Sequence, residues 1–274
     1  MVQGKQDVII SDELNHGSII DGVRLTKAQR AVFPHNDMAA FEQVLKEHQS
    51  ADRKLVIVDG VFSMDGDVCP LDELTSIAED HNAMVFVDDC HGEGVLGDGG
   101  RGIVDHFKLQ GRVDFEVGSF SKALGVQGGI VAGKEIVRNH ALNHSRSWLL
   151  SGSQPPGVAA AQKAAVEVLM EEPHHHAKLW ENTEYFRSEM QSLGFDTGVS
   201  TTPIIPVMCG ESSKAKELSQ AMLDQGVMAG AIVFPMVARD KARVRTQMSA
   251  GLSRDDLDEV LRIFEKAGKD IKLI

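Results

Sequence analysis

Met84-Val85-Phe86-Val87-Asp88-Asp89 is a short apolar run that ends in two carboxylates. Its length and its β-branched and aromatic content read as a buried strand, and the glycine-rich stretch Gly92 to Gly102 follows as a loop. The same pattern recurs on both sides. Val8-Ile9-Ile10-Ser11-Asp12 leads into Asn15-His16-Gly17-Ser18, a loop entering a short helix. A strand near Arg30 to Phe33 precedes a helix from Met38 to His48, whose Phe41, Val44 and Leu45 form an apolar stripe and which Asn36 or Asp37 can cap. Lys54 to Asp59 is a further strand, followed by the turn-rich Gly60 to Asp67 and a helix opened by Pro70. Phe115 to Val117 and Gly128 to Ala132 complete the series. Strand, loop and helix repeated over residues 8–132 predict an α/β fold with an open, mostly parallel sheet. Ligands of such sheets gather outside the carboxyl ends of the strands. His16, Ser63, Asp88, His91 and Lys122 all follow predicted strands, so one sheet edge is expected to carry a site.

The second half reads differently. Pro155-Pro156 precedes an Ala-rich helix from Gly157 to Met170, and another helix runs from Ala177 to Leu193. Short strands at Ile204 to Met208, Ala231 to Phe234 and Arg243 to Met248 alternate with helices at Ser213 to Gln225 and Asp255 to Ala267, the last with a capping box at Ser253 and Asp256. A large domain over residues 1–169 and a smaller α+β domain over residues 170–274 are expected.

Composition narrows the function. The 274 residues are 42% hydrophobic and 25% charged, with a net charge of -12. An acidic chain argues against non-specific binding to nucleic acid or anionic membranes. Three scattered cysteines without a Cys-x-x-Cys pair argue against a disulfide framework or a zinc ribbon, and favour a reducing cytoplasm. No apolar run of spanning length is present. The N-terminal residues are too polar for a signal peptide.

Chemistry concentrates in Gly118-Ser119-Phe120-Ser121-Lys122-Ala123-Leu124-Gly125. One lysine stands at a strand end between hydroxyls and small residues, an arrangement suited to imine chemistry, or an ordinary solvated loop lysine. A pyridoxal phosphate (PLP) enzyme needs such a lysine, donors for the phosphate and a carboxylate for the pyridine nitrogen. Asp88 and Asp89 alternate sides of a strand end, so only one can face a site. Arg243 and Arg245 share a strand face and could clamp a carboxylate, or form a surface pair. A flat imidazole at His16 could cover an aromatic ring, or be an ordinary loop histidine. Gly92-x-Gly94-x-x-Gly97 fits the dinucleotide pattern, but glycines rather than a helix follow it. Gly128 to Lys134 approaches a P-loop, but Glu135 stands where a hydroxyl must hold magnesium. His174-His175-His176 reads as a solvated turn rather than a metal site, and no metal is expected.

Five runs carry a resemblance. They are Ser11 to Gly22, Asp59 to Asp67, Val87 to Gly92, Gly118 to Ala123 and Arg243 to Ala250. Together, and in this order, they resemble the α-oxoamine synthases, PLP-dependent enzymes of aminotransferase fold type I, and among these most of all the glycine C-acetyltransferases. The resemblance implies that Lys122 holds PLP covalently and moves the substrate's α-proton, while Asp88 pairs with the pyridine nitrogen. It implies that His91 hydrogen-bonds the phenolic oxygen, His16 stacks on the ring and Ser63 contacts the cofactor. Ser119, where the family usually has threonine, would hold the phosphate. Ser151 would reach it from the partner subunit of a homodimer. Arg245 would bind the amino acid carboxylate.

The implied reaction condenses glycine with acetyl-CoA to 2-amino-3-oxobutyrate and CoA. The alternatives are a sibling activity, such as 8-amino-7-oxononanoate synthase acting on alanine and a longer acyl thioester, and a catalytically silent fragment. Family members carry a long segment before the position of Val8, so the resemblance implies an N-terminally truncated member. Asp59 is glutamate in many relatives.

Overall fold

A computed structural model describes residues 4–274. The chain forms two compact units. One runs up to Phe62 and resumes over Cys69–Glu172; the other joins Ser63–Val68 to Pro173–Ile274.

In the first unit, β1 (Val8–Asp12), α1 (Gly17–Arg24), β2 (Gln29–Phe33), α2 (Met38–Glu47), β3 (Lys54–Asp59), α3 (Leu71–Asp80) and β4 (Met84–Asp88) alternate strand and helix. Then come α4 (Ile103–His106), β5 (Phe115–Ser119), β6 (Gly129–Gly133), α5 (Glu135–His144), α6 (Arg146–Leu149) and α7 (Pro156–Glu171). The six strands form one sheet in the order β2-β1-β3-β4-β5-β6. β1 to β5 are parallel and β6 is antiparallel to β5. The α/β reading of the sequence is what the chain adopts.

Every residue of the inner strand β1 is buried, as a strand covered on both faces requires. One cover is α1, whose Ile19 and Val23, four apart, pack with Ile9 and Ile57. Phe33, Phe41, Leu45, Leu71 and Leu74 are fully buried, and the Phe33 and Phe41 rings meet at 5.0 Å. The helix starts are locally specified. Asp37, not Asn36, caps α2 by accepting the Ala40 N–H at 2.9 Å. The edge strand β6 and the helices α5, α6 and α7 contain no buried residue.

The second unit contains α8 (His174–Ser192), β7 (Ile204–Gly210), α9 (Ser212–Leu223), β8 (Gly230–Ile232), β9 (Ala242–Gln247) and α10 (Arg254–Asp270). Its antiparallel sheet has the order β7-β9-β8. Phe186, Met190, Val207, Leu218, Val244 and Phe264 lie at its core. Gly268 lets α10 approach Phe195, since a Cβ there would lie 2.6 Å from that ring. Ser253 and Asp256 form the expected capping box. His174 to His176 form the first turn of α8, which Pro173 precedes as the N-cap, so this helix starts three residues ahead of the expected Ala177.

Candidate active site

Sheet register brings the polar strand ends of the first unit together. β3 and β4 pair so that Asp59 lies beside Asp88, and β4 pairs with β5 so that Asp88 lies beside Val117, two residues before Ser119. Asp88 and Asp89 have opposite environments, as strand alternation predicts. Asp88 is half-buried, and its Oδ1 accepts the Cys90 N–H at 3.1 Å. Asp89 is fully buried, and its Oδ2 accepts the Ile103 N–H at 2.8 Å. Burial pushes the Asp89 carboxyl up to about 8. Three glycines make room for it: a Cβ at Gly92 or Gly102 would come within 1.9 or 2.1 Å of its oxygens, and one at Gly60 within 3.1 Å. Asp89 therefore anchors the glycine-rich loop, while Asp88 faces the strand-end cluster.

Lys122 follows β5 on an exposed loop. Its Nζ lies 3.1 Å from His91 Nε2. The Ser119 and Ser121 hydroxyls are 2.7 Å apart, and the Ser121 N–H donates to Ser119 Oγ at 3.2 Å. The Ser119 N–H pulls the Glu93 carboxyl down. Burial, then Glu116, outweigh this and push it up to about 7. His16 is the N-cap of α1. Its Nδ1 accepts the Ser18 N–H at 3.3 Å, and its own N–H donates to Asp59 Oδ2 at 2.8 Å. Asp59 is raised to about 7, first by burial and then by Asp88, with the His16 N–H and Lys122 pulling the other way. Burial and the neighbouring Asp88 push the Cys90 thiol well above its ordinary range, so it is no nucleophile at neutral pH.

His16, Asp88, His91, Ser119 and Lys122 thus gather at one edge of one sheet. Ser151 lies on the exposed segment after α6, where its Oγ accepts the Ser153 N–H at 3.1 Å; among the described residues no hydrogen bond ties it to the cluster. Ser63 and Arg245 belong to the second unit. There Arg245 Nη1 donates to the Ser63 carbonyl at 2.8 Å, and burial pulls the guanidinium below its ordinary value. Its strand neighbour Arg243 is buried and committed to Asp65 and to the Met64 and Lys241 carbonyls. The arginine pair is not a surface pair.

Sequence reasoning missed Asp59, Asn15 and Glu93. Asp59 ends β3 as Asp88 ends β4, and that repeated strand-end carboxylate was the available signal. Glu93 had none, because its partner Ser119 lies on a different loop.

The side chains fit PLP by their chemistry. They supply a primary amine, a carboxylate for a ring nitrogen, an imidazole within reach of the amine and paired hydroxyls for a phosphate. Residues 1–264 match the family Aminotransferase class I and II. The chain belongs to that family. The 8-amino-7-oxononanoate synthase of Thermosipho melanesiensis is 50% identical over 273 residues, covering 100% of this chain and 70% of the relative. That of Fervidobacterium nodosum is 52% identical over 273 residues, covering 98% of this chain and 69% of the relative. A serine palmitoyltransferase variant from S. paucimobilis with a bound PLP–myriocin aldimine superposes with a TM-score of 0.96 at 30% identity, covering 100% of this chain and 69% of that one.

The chain is a PLP-dependent enzyme of the α-oxoamine synthase kind within this aminotransferase family. These relatives carry the sibling activity in their names, not the glycine C-acetyltransferase that the sequence suggested first. Among the described residues no helix is long and apolar enough to cross a membrane.

Proposed function

We propose that the protein condenses a small amino acid with an acyl thioester as an 8-amino-7-oxononanoate synthase does, joining alanine to a pimeloyl thioester with release of CO2 and the thiol. The observation that carries this reading is the meeting of Lys122, His91 and Asp88 at the carboxyl edge of the sheet. Identities of 50% and 52% to enzymes of that name favour it over glycine and acetyl-CoA.

PLP, when bound, supplies the electron sink for a carbanion. The chain's own side chains do the rest. Asp88 keeps the ring nitrogen protonated by its charge. His91 hydrogen-bonds the phenolic oxygen, and Ser63 contacts the cofactor near it. His16 stacks on the ring face. The Ser119 hydroxyl binds the phosphate. Lys122 anchors the cofactor, then takes and returns the proton at the amino acid's α-carbon, where general base catalysis is worth roughly 10²–10⁴-fold. Arg245 pairs with the substrate carboxylate. The new carbon–carbon bond forms at the α-carbon as the thioester carbon–sulfur bond breaks, and the thiolate takes a proton from water. The bond from the α-carbon to the carboxylate then breaks to release CO2, and the proton held by Lys122 goes back to that carbon. Residues 1–169 hold the cofactor in this reading, and residues 170–274 supply Arg245.

The working unit is a cytoplasmic homodimer in which Ser151 reaches the partner's phosphate site. The exposed Trp148, Leu149 and Leu150 beside it support an interface there.

Thiol release with alanine and pimeloyl-CoA, against glycine and acetyl-CoA, tests the substrate choice. Faster turnover of the first pair is expected. Product from the second pair alone would restore the glycine C-acetyltransferase reading, and product from neither would leave the silent fragment.

A further inference from the structure

The least expected feature of the cluster is a second carboxylate beside Asp88. Asp59 is 6% exposed, it neighbours Asp88 in the sheet, and no part of the proposed reaction uses it. Asp12, Asp88 and Lys122 are the charged groups that act on it. Burying one carboxylate next to another costs free energy, so an offsetting role is expected of it.

Asp59 and Asn15 staple the loop before α1 to the end of β3. The Asp59 N–H donates to Asn15 Oδ1 at 2.8 Å. Asn15 Nδ2 donates to the Ile57 carbonyl at 2.7 Å and to Ser11 Oγ at 2.8 Å. The Asp59 side chain then takes the His16 N–H at 2.8 Å. Ser18 engages His16 Nδ1 through its hydroxyl at 2.8 Å and orients the ring. The position of His16 is therefore set from β3, one strand away from Asp88.

We propose that Asp59 is a positioning residue that fixes His16 at the lysine site through the hydrogen bond between its carboxylate and the His16 main-chain N–H. The inference rests on the proposed role of His16 against the cofactor ring. It goes beyond that role by naming what holds the histidine.

The test is PLP affinity, read from the visible absorbance of bound cofactor, in the wild type, D59A, H16A and the double variant. Loss of one charge-assisted hydrogen bond predicts a rise in Kd of about tenfold for D59A in the wild type. In the H16A background the same change should cost less than about threefold, because the residue acts through His16. D59N keeps an acceptor for the N–H and should bind within about threefold of the wild type. D59V, which also has no acceptor, replaces D59A should the latter not fold, with the same pattern expected. An equal loss in both backgrounds would overturn the inference, as would wild-type affinity in D59A or a D59N as weak as D59A. Wild-type affinity in H16A would separately overturn the role given to His16; a D59A that still lost affinity would then act by another route, and the inference would fail with it.

Discussion

Gly118 lies directly against Glu93: a Cβ at Gly118 would stand 1.9 Å from both carboxylate oxygens. The glycine on β5 lets Glu93 lie against the strand just before the loop that carries Lys122. Gly94 makes a second close approach, since its Cβ would fall 2.5 Å from that of Ala123. The loop that looks like a dinucleotide motif in sequence is thus a support for the lysine loop.

G118A should therefore displace Glu93. A loss of about 1–3 kcal/mol is expected from overpacking. Urea unfolding of G118A, E93A and the double variant checks it. The double variant should be more stable than G118A alone, because truncating Glu93 empties the space that the new methyl needs.

The Asp89 carboxyl gives the first unit a pH dependence of known sign. Folded, it keeps its proton to about pH 8, whereas an unperturbed aspartate loses it near 3.8. Between these values the folded state binds more protons than the unfolded one. The contribution to stability is full below pH 3.8 and is lost as pH rises through about 8. Its slope is at most ~1.4 kcal/mol per pH unit. Unfolding at pH 6 and pH 9 should show wild-type stability falling more than that of D89N, in which the carboxyl has nothing to titrate.

Arg245 and Arg243 should separate in mutagenesis. R245K replaces a planar fork by a point charge and should raise the KM for the amino acid about tenfold while leaving PLP affinity within about threefold. R243M removes the ion pair between buried Arg243 and Asp65, so its main effect should be a lower melting temperature. Steady-state kinetics beside thermal unfolding checks both.

Much of this was legible in the sequence because it is periodic or local. The apolar runs Val8–Asp12, Lys54–Asp59 and Met84–Asp88 became neighbouring parallel strands. The opposite fates of Asp88 and Asp89 followed from strand alternation alone. The caps at Asp37 and Ser253 needed only their near neighbours. What stayed hidden depends on contacts between distant segments. The Asp59–His16 bond spans 43 residues, and no local pattern announces it. The exposure of β6 could not be read either, since Gly129 to Gly133 is as apolar as an inner strand yet lies at the sheet edge.

The central claim is that one lysine, two histidines and a carboxylate at this sheet edge receive PLP. Absorbance of the purified protein titrated with PLP tests it most directly, followed by borohydride reduction and mass analysis of the peptide containing Lys122. The account predicts a visible band, covalent capture at Lys122 and loss of both in K122A. Saturating PLP without a band, or capture unchanged in K122A, would contradict it.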